Sequence, residues 1–105
     1  VRAKKVILAQ GMIERPLTIP GNDIPGVMLS ASIRGYINKF GVLPGNEVVL
    51  CTNNDDTYRT AIELNKVRAN VKYIVDIRKK SSGKIIERAK KLGIKILFNH
   101  CITSI

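Results

Sequence analysis

A chain of 105 residues with 45% apolar side chains is long enough for one small domain with a buried core, or for a segment of a larger protein. No run approaches the roughly 20 apolar residues that cross a bilayer, and the opening "VRAKKVILAQG" lacks the apolar stretch and small-residue cleavage site of a leader, so a cytoplasmic protein without membrane contact is expected. The net charge of +10 invites a nucleic-acid reading, but the bases are dispersed and an aromatic content of 5% leaves little for base stacking, so no nucleic-acid partner is expected.

In chain order, residues 5–9, "KVILA", read as a short buried strand closed by Gly11. The stretch "ERPLTIPGNDIPG" (14–26) follows, and Pro16, Pro20 and Pro25 exclude a regular helix or central strand there. Glu14 and Arg15 at its start suit a surface ion pair or an inter-domain contact. Ser30 then reads as an N-cap, with Ile33, Tyr36, Ile37 and Phe40 along one helical face and Gly41 as the stop. After the turn "LPGNE" comes the strand "EVVLC" (47–51). A helix from about Asp56 to Val67 turns Tyr58, Ala61, Ile62 and Asn65 inward. The strand "VKYIVD" (71–76) leads through a basic loop to a helix over 84–92, with Ile85, Ile86, Ala89 and Leu92 inward and Gly93 as its stop. The strand "IKILF" (94–98) comes next, and "CITSI" reads as the start of one more.

Strand, helix, strand, helix, strand is the pattern of a parallel sheet with crossover helices. The expected class is therefore α/β, a βαβαβ Rossmann-like half of a three-layer, doubly wound sheet. The first strand finds no neighbour within this order, and the last begins only at the end of the chain. Both features suggest a segment of a longer protein.

The chemistry of such a fold sits at the turn after its first strand, here "TNNDDT" (52–57). Thr52, Asn54 and Thr57 occupy the places of the first glycine, second glycine and alanine in a GxGxxA dinucleotide fingerprint. The second glycine lets a pyrophosphate lie against the backbone, and a side chain at Asn54 obstructs that approach. Asp55 and Asp56 place negative charge at a helix N-terminus, where it suits the helix dipole and caps the first amides but repels a phosphate. Asp76 ends the second strand, where a ribose-binding acid would stand; a solvated strand-end aspartate is the plain alternative. The expectation is a fold retained with its ligand site closed, with no catalytic residue and no cofactor of its own.

Other candidates are thinner. His100 and Cys101 are neighbours whose side chains diverge on a strand, and with no second histidine no metal site is expected. Cys51 and Cys101 read as reduced thiols, and Tyr36 and Tyr58 as helix-face packing. Gly11, with Ala9 before it, permits close approach of a cofactor held by a neighbouring domain, or serves as a simple hinge.

Three motifs occur together: "VILAQGMIERPLTIPGNDIPGVM", "SASIRGYINKFG" and "GNEVVLCTNNDDTYRTAIEL". In the first, Ala9 and Gly11 resemble the strand-plus-ATG element at which flavoprotein disulfide reductase-like proteins pass from one dinucleotide domain to an inserted second one; Gln10 replaces the usual threonine. The longer pattern resembles the alpha subunits of heterotetrameric sarcosine oxidases, and their opine oxidase and hydrogen cyanide synthase relatives. The resemblance implies that residues 1–26 are a hinge strand and connector and that 27–105 form an inserted Rossmann-like domain, cut short at its C-terminus. It also implies an oxidoreductase parent that demethylates sarcosine, using NAD, FAD, FMN and tetrahydrofolate bound outside this stretch. Its implied partners are the beta, gamma and delta subunits, together with the rest of the alpha subunit. An opine, glycine or proline oxidase-type parent is one alternative. An independent NAD-dependent domain is the other, and the missing glycines and missing acid–base pair speak against it.

Overall fold

Three apolar runs separated by helix-length polar stretches become three parallel strands. The structure, a computed structural model, describes residues 2–105. Its elements are α1 (Ser30–Phe40), β1 (Glu47–Thr52), α2 (Asp56–Lys66), β2 (Asn70–Asp76), α3 (Lys84–Lys91) and β3 (Lys95–Phe98). The sheet order is β1-β2-β3, parallel throughout, as the alternation of strands and helices predicts. No helix among the described residues is long and apolar enough to cross a membrane.

The register explains which side chains become core. Val48 pairs with Val71, Leu50 with Ile74 and Thr52 with Asp76, and an irregularity after Val48 leaves Lys72 as an extra residue in β2. That bulge lets Val71 and Ile74, three positions apart, share one face of the sheet. On this face Leu50, Val71 and Ile74 join Tyr58, Ala61 and Leu64 of α2, Ile86 and Ala89 of α3, and Ile33 of α1 in a single cluster. Both crossover helices therefore lie on the same side, and α1 packs against α2. On the opposite face Val49, Tyr73 and Leu97 remain 51%, 38% and 37% exposed.

Helix ends follow local chemistry, with two departures from expectation. Gly41 stops α1 in the left-handed conformation (φ 63°), its N–H donating to the Ile37 carbonyl at 3.2 Å. Ser30 is not the N-cap: it is the first helical residue, and its hydroxyl pairs with that of Thr60 at 2.7 Å. The free first-turn amide of Ala31 donates instead to Glu14 Oε2 at 2.7 Å, so a carboxylate from the connector serves the positive end of α1. On α2, Leu64 is buried where Asn65 was expected, and Asn65 stays half-exposed. Of the expected α1 face, Ile33 is buried while Phe40 is 62% exposed. Leu92, expected inward, lies beyond the end of α3 and is partly exposed.

The expected strand over residues 5–9 does not form. The arm carries no regular structure, and Ile7 and Leu8 are largely exposed. A strand alone leaves both rows of backbone groups unpaired, so without a neighbour the run has nothing to hold it extended. Residues 101–105 likewise form no strand; the Ile105 N–H donates to the Pro20 carbonyl at 3.0 Å. Gly21 lies against that tail (φ 86°), where a Cβ would come 2.7 Å from the Ile105 carbonyl oxygen.

Two variants test this distribution of stability. Ile74→Ala removes a fully buried side chain of the central strand and is expected to destabilise the domain by about 2–5 kcal/mol. Deleting residues 2–10, all exposed, is expected to leave the midpoint of chemical unfolding unchanged. A midpoint that falls on deletion would place the arm in the core.

Candidate functional site

Parallel strands leave their C-terminal ends, and the turns that follow them, on one edge of the sheet; in this fold class ligands bind there. The β1–α2 turn is folded by its own side chains. Thr52 Oγ1 accepts the Asn54 N–H at 3.1 Å and donates to the Asn54 carbonyl at 2.9 Å. Asn54 Oδ1 accepts the Asp56 N–H at 2.9 Å, and its amide nitrogen donates to Asn53 Oδ1 at 3.0 Å. The first amide of α2 is thus capped by Asn54. Neither aspartate caps the helix: Asp55 stands at the N-cap without a side-chain capping bond.

Both aspartates are claimed by arginines. Asp56 lies 2.6 Å from the Arg34 guanidinium of α1, and Asp55 accepts from Arg78 Nη1 at 2.8 Å. The hydrogen bond from Arg34 holds the Asp56 carboxyl below its ordinary range. The negative charge expected to cap the first amides of the helix is instead paired with an arginine on both residues.

Asp76, the register partner of Thr52, is fully buried, so it is not the solvated strand-end aspartate that the sequence allows. Tyr58 donates its hydroxyl to Oδ2 at 2.7 Å. Arg78 donates Nε to Oδ1 at 3.0 Å and Nη2 to Oδ2 at 2.7 Å, and its backbone N–H reaches Oδ1 at 3.0 Å. Burial alone would push this carboxyl up, but the hydrogen bonds from Arg78 and Tyr58 outweigh it and hold Asp76 below its ordinary value. The same arrangement raises the Tyr58 phenol, through its burial first and then its bond to an ionised acceptor.

Of the residues singled out from the sequence, Thr52, Asn54 and Asp76 meet at this edge. Ala9 and Gly11 do not join them. They lie in the exposed arm, with Gly11 left-handed (φ 69°) and nothing within 4 Å of where its Cβ would be. His100 turns its ring to the Phe98 carbonyl, Nδ1 to oxygen 2.6 Å, and Cys101 is exposed. Among the described residues no group of three or more histidines, cysteines or acids could hold a metal. Sequence reasoning passed over Arg34, Arg78 and the hydroxyl of Tyr58. The Asp-x-Arg spacing of residues 76–78 was the one local signal, because a planar guanidinium two residues on can fold back on a carboxylate.

Comparison with known proteins places this stretch. No protein-family model matches the chain. It is 46% identical over 76 residues to the alpha subunit of sarcosine oxidase from Rhizobium meliloti (strain 1021), covering 72% of this chain. The corresponding sarcosine oxidase subunit from Corynebacterium sp. (strain U-96) is 40% identical over 83 residues, 79% of this chain. An opine oxidase subunit of Agrobacterium tumefaciens (strain Ach5) is 38% identical over 50 residues, 48% of this chain. The match spans 8% of each of these sarcosine oxidase subunits and 10% of the opine oxidase subunit.

The buried acid makes a prediction about pH. A carboxyl whose folded pKa is depressed stabilises the fold above its unfolded value, near 3.8 here, and that stability is lost as pH falls through the folded value. Acid unfolding should therefore draw on Asp76 and Asp56 below about pH 4. Tyr58→Phe removes one bond to Asp76 and is expected to lower stability at neutral pH by about 1–3 kcal/mol. It should also move the onset of acid unfolding upward. An unchanged onset in a pH series of denaturant melts would contradict the bond's role.

Proposed function

Because this chain is homologous to one stretch of the sarcosine oxidase alpha subunits, we propose that it serves as an α/β scaffold domain within a larger amine-oxidising protein and carries no catalysis of its own. Residues 1–26 act as the hinge and connector, and residues 27–105 as the inserted domain. The observation that carries this reading is the way the sheet edge is filled by the chain itself. A bound dinucleotide rests its pyrophosphate on the amides at the N-terminus of the first crossover helix and its ribose on the acid ending the second strand. In this chain the Asp56 amide is given to Asn54, and the Asn54 side chain stands at the close-approach position. Asp76 is buried with both oxygens engaged. These residues do not fit a dinucleotide, and no reaction step runs through one here.

The oxidative chemistry then belongs to the remainder of the complex, in the cytoplasm. NAD and tetrahydrofolate would be held by the rest of the alpha subunit, FAD by the beta subunit and FMN between subunits, with the gamma and delta subunits as further partners. The arm with Ala9 and Gly11 is the part of this chain that would approach such a cofactor, because these two residues are small and the arm is free of the domain's core. The similarity to an opine oxidase subunit supports a second substrate reading, in which the amine is an opine. Turnover of sarcosine against an opine by the complete complex separates the two.

Calorimetric titration of the chain with NAD and NADP tests the scaffold reading. The expected result is no binding tighter than about 1 mM, whereas a micromolar dissociation constant, roughly 8 kcal/mol of binding, would mean that the edge is a working nucleotide site.

A further inference from the structure

We propose that Arg78 is an intramolecular substitute for a bound nucleotide, joining the two parts of the sheet edge that a dinucleotide would otherwise bridge. The proposal rests on the scaffold reading above. In a liganded fold of this class, one molecule spans from the helix N-terminus after β1 to the acid at the end of β2, placing anionic oxygens at the first and hydroxyl donors at the second. Here the same two places are joined by side chains. Asp55 is the N-cap residue of α2 and its carboxylate bonds none of the helix amides, so it brings to the helix end the negative charge that a phosphate would otherwise supply. The Arg78 guanidinium supplies N–H donors to Asp76, the acid that ribose hydroxyls would otherwise meet. A single guanidinium makes both connections, with Nη1 on Asp55 at 2.8 Å and Nε and Nη2 on Asp76 at 3.0 and 2.7 Å.

Three features fit a bridge better than an incidental surface pair. The Asp76 end is fully buried, while the Asp55 side chain is 53% exposed and Arg78 lies between them at 28%. The planar fork of arginine spends two donors on one carboxylate and still reaches the other, which an ammonium on a flexible stem cannot do in one geometry. The backbone around Arg78 is also held on both sides. The preceding Ile77 N–H donates to the Thr52 carbonyl of β1 at 3.1 Å, and the Arg78 carbonyl accepts from Asn99, just past β3, at 2.9 Å. The backbone is therefore already fixed when the guanidinium docks, and the entropy that remains to be lost is that of the side chain's own rotamers. Thr52, the other end of that anchor, is the residue that folds the turn through Asn54.

Hydrogen exchange of the turn amides in the full chain tests this, with chemical rescue as the reading that a merely structural loss would not give. In Arg78→Ala the amides of Asn54 and Asp56, the two that are bonded within the turn, are expected to exchange at least about tenfold faster than in the wild type, by local opening of the turn. Millimolar ethylguanidinium should restore much of the protection, and ethylammonium, which carries the charge without the fork, should not. If Arg78→Ala fails to fold, Asp55→Ala cuts only the connection to the turn and should accelerate the same amides while leaving the amides of β2 protected. Turn amides that exchange at the wild-type rate in the variant that folds, or equal rescue by the two cations, would overturn the proposal. Micromolar NAD binding by the wild-type chain would sink the scaffold reading, and with it the claim that Arg78 stands in for the nucleotide. An undisturbed turn in a variant that still ignores NAD would sink the bridge alone.

Discussion

A carboxylate with no contact to solvent must be fully bonded or it will not stay ionised. Asp76 is that carboxylate, and the sheet edge is arranged around its requirements. Tyr58 comes from α2, the guanidinium from the strand's own continuation, and the remaining arm of that guanidinium reaches the turn through Asp55. One buried charge thereby ties β2 to α2 and to the β1–α2 turn. No buried side-chain polar atom among the described residues lacks a partner, which is the condition for such a network to stabilise the fold.

The arrangement also explains how a turn without glycine is tolerated. A glycine-rich turn leaves its amides bare for a ligand. Here Asn54 and Thr52 satisfy the local backbone from within, through bonds of 2.9 to 3.1 Å, and the arginines absorb the charge of the two aspartates. Side chains that can hydrogen-bond to nearby backbone favour compact turns of this kind. The same substitutions that oppose a pyrophosphate give the turn its own stable shape.

Charge is distributed unevenly between this edge and the rest of the molecule. The chain carries 18 basic against 8 acidic residues, yet Asp55, Asp56 and Asp76 converge here on Arg34 and Arg78. Much of the excess positive charge lies elsewhere, on exposed residues such as Lys66, Lys91 and Lys95. Net charge therefore says little about the chemistry of the edge. The apolar surface is uneven too. Helices cover one side of the sheet, while Val49, Tyr73 and Leu97 on the other side and Ile7 and Leu8 in the arm stay in contact with water.

The alternation of apolar runs with helix-period segments determined the βαβαβ order, because each element's burial pattern is written in its own spacing. Gly41 and Gly93 marked helix ends for a similarly local reason, both being left-handed in the structure. The missing glycines of residues 52–57 were legible as an obstruction to a phosphate. The run at 5–9 misled, because its composition favours a strand while its pairing depends on a neighbour that this chain does not supply. The fate of Asp76 could not be read locally either. Its burial depends on the register that sets it beside Thr52, and its partners Tyr58 and Arg78 reach it only once α2 has packed on the sheet. Likewise Glu14 becomes the cap of α1 across 17 residues, a contact made by the path of the connector and by no motif. Sequence determined the elements and their order, since these follow from interactions within a few residues. Tertiary structure decided the ion pairs that close the edge, since a buried charge takes whichever partner the fold brings within hydrogen-bonding distance.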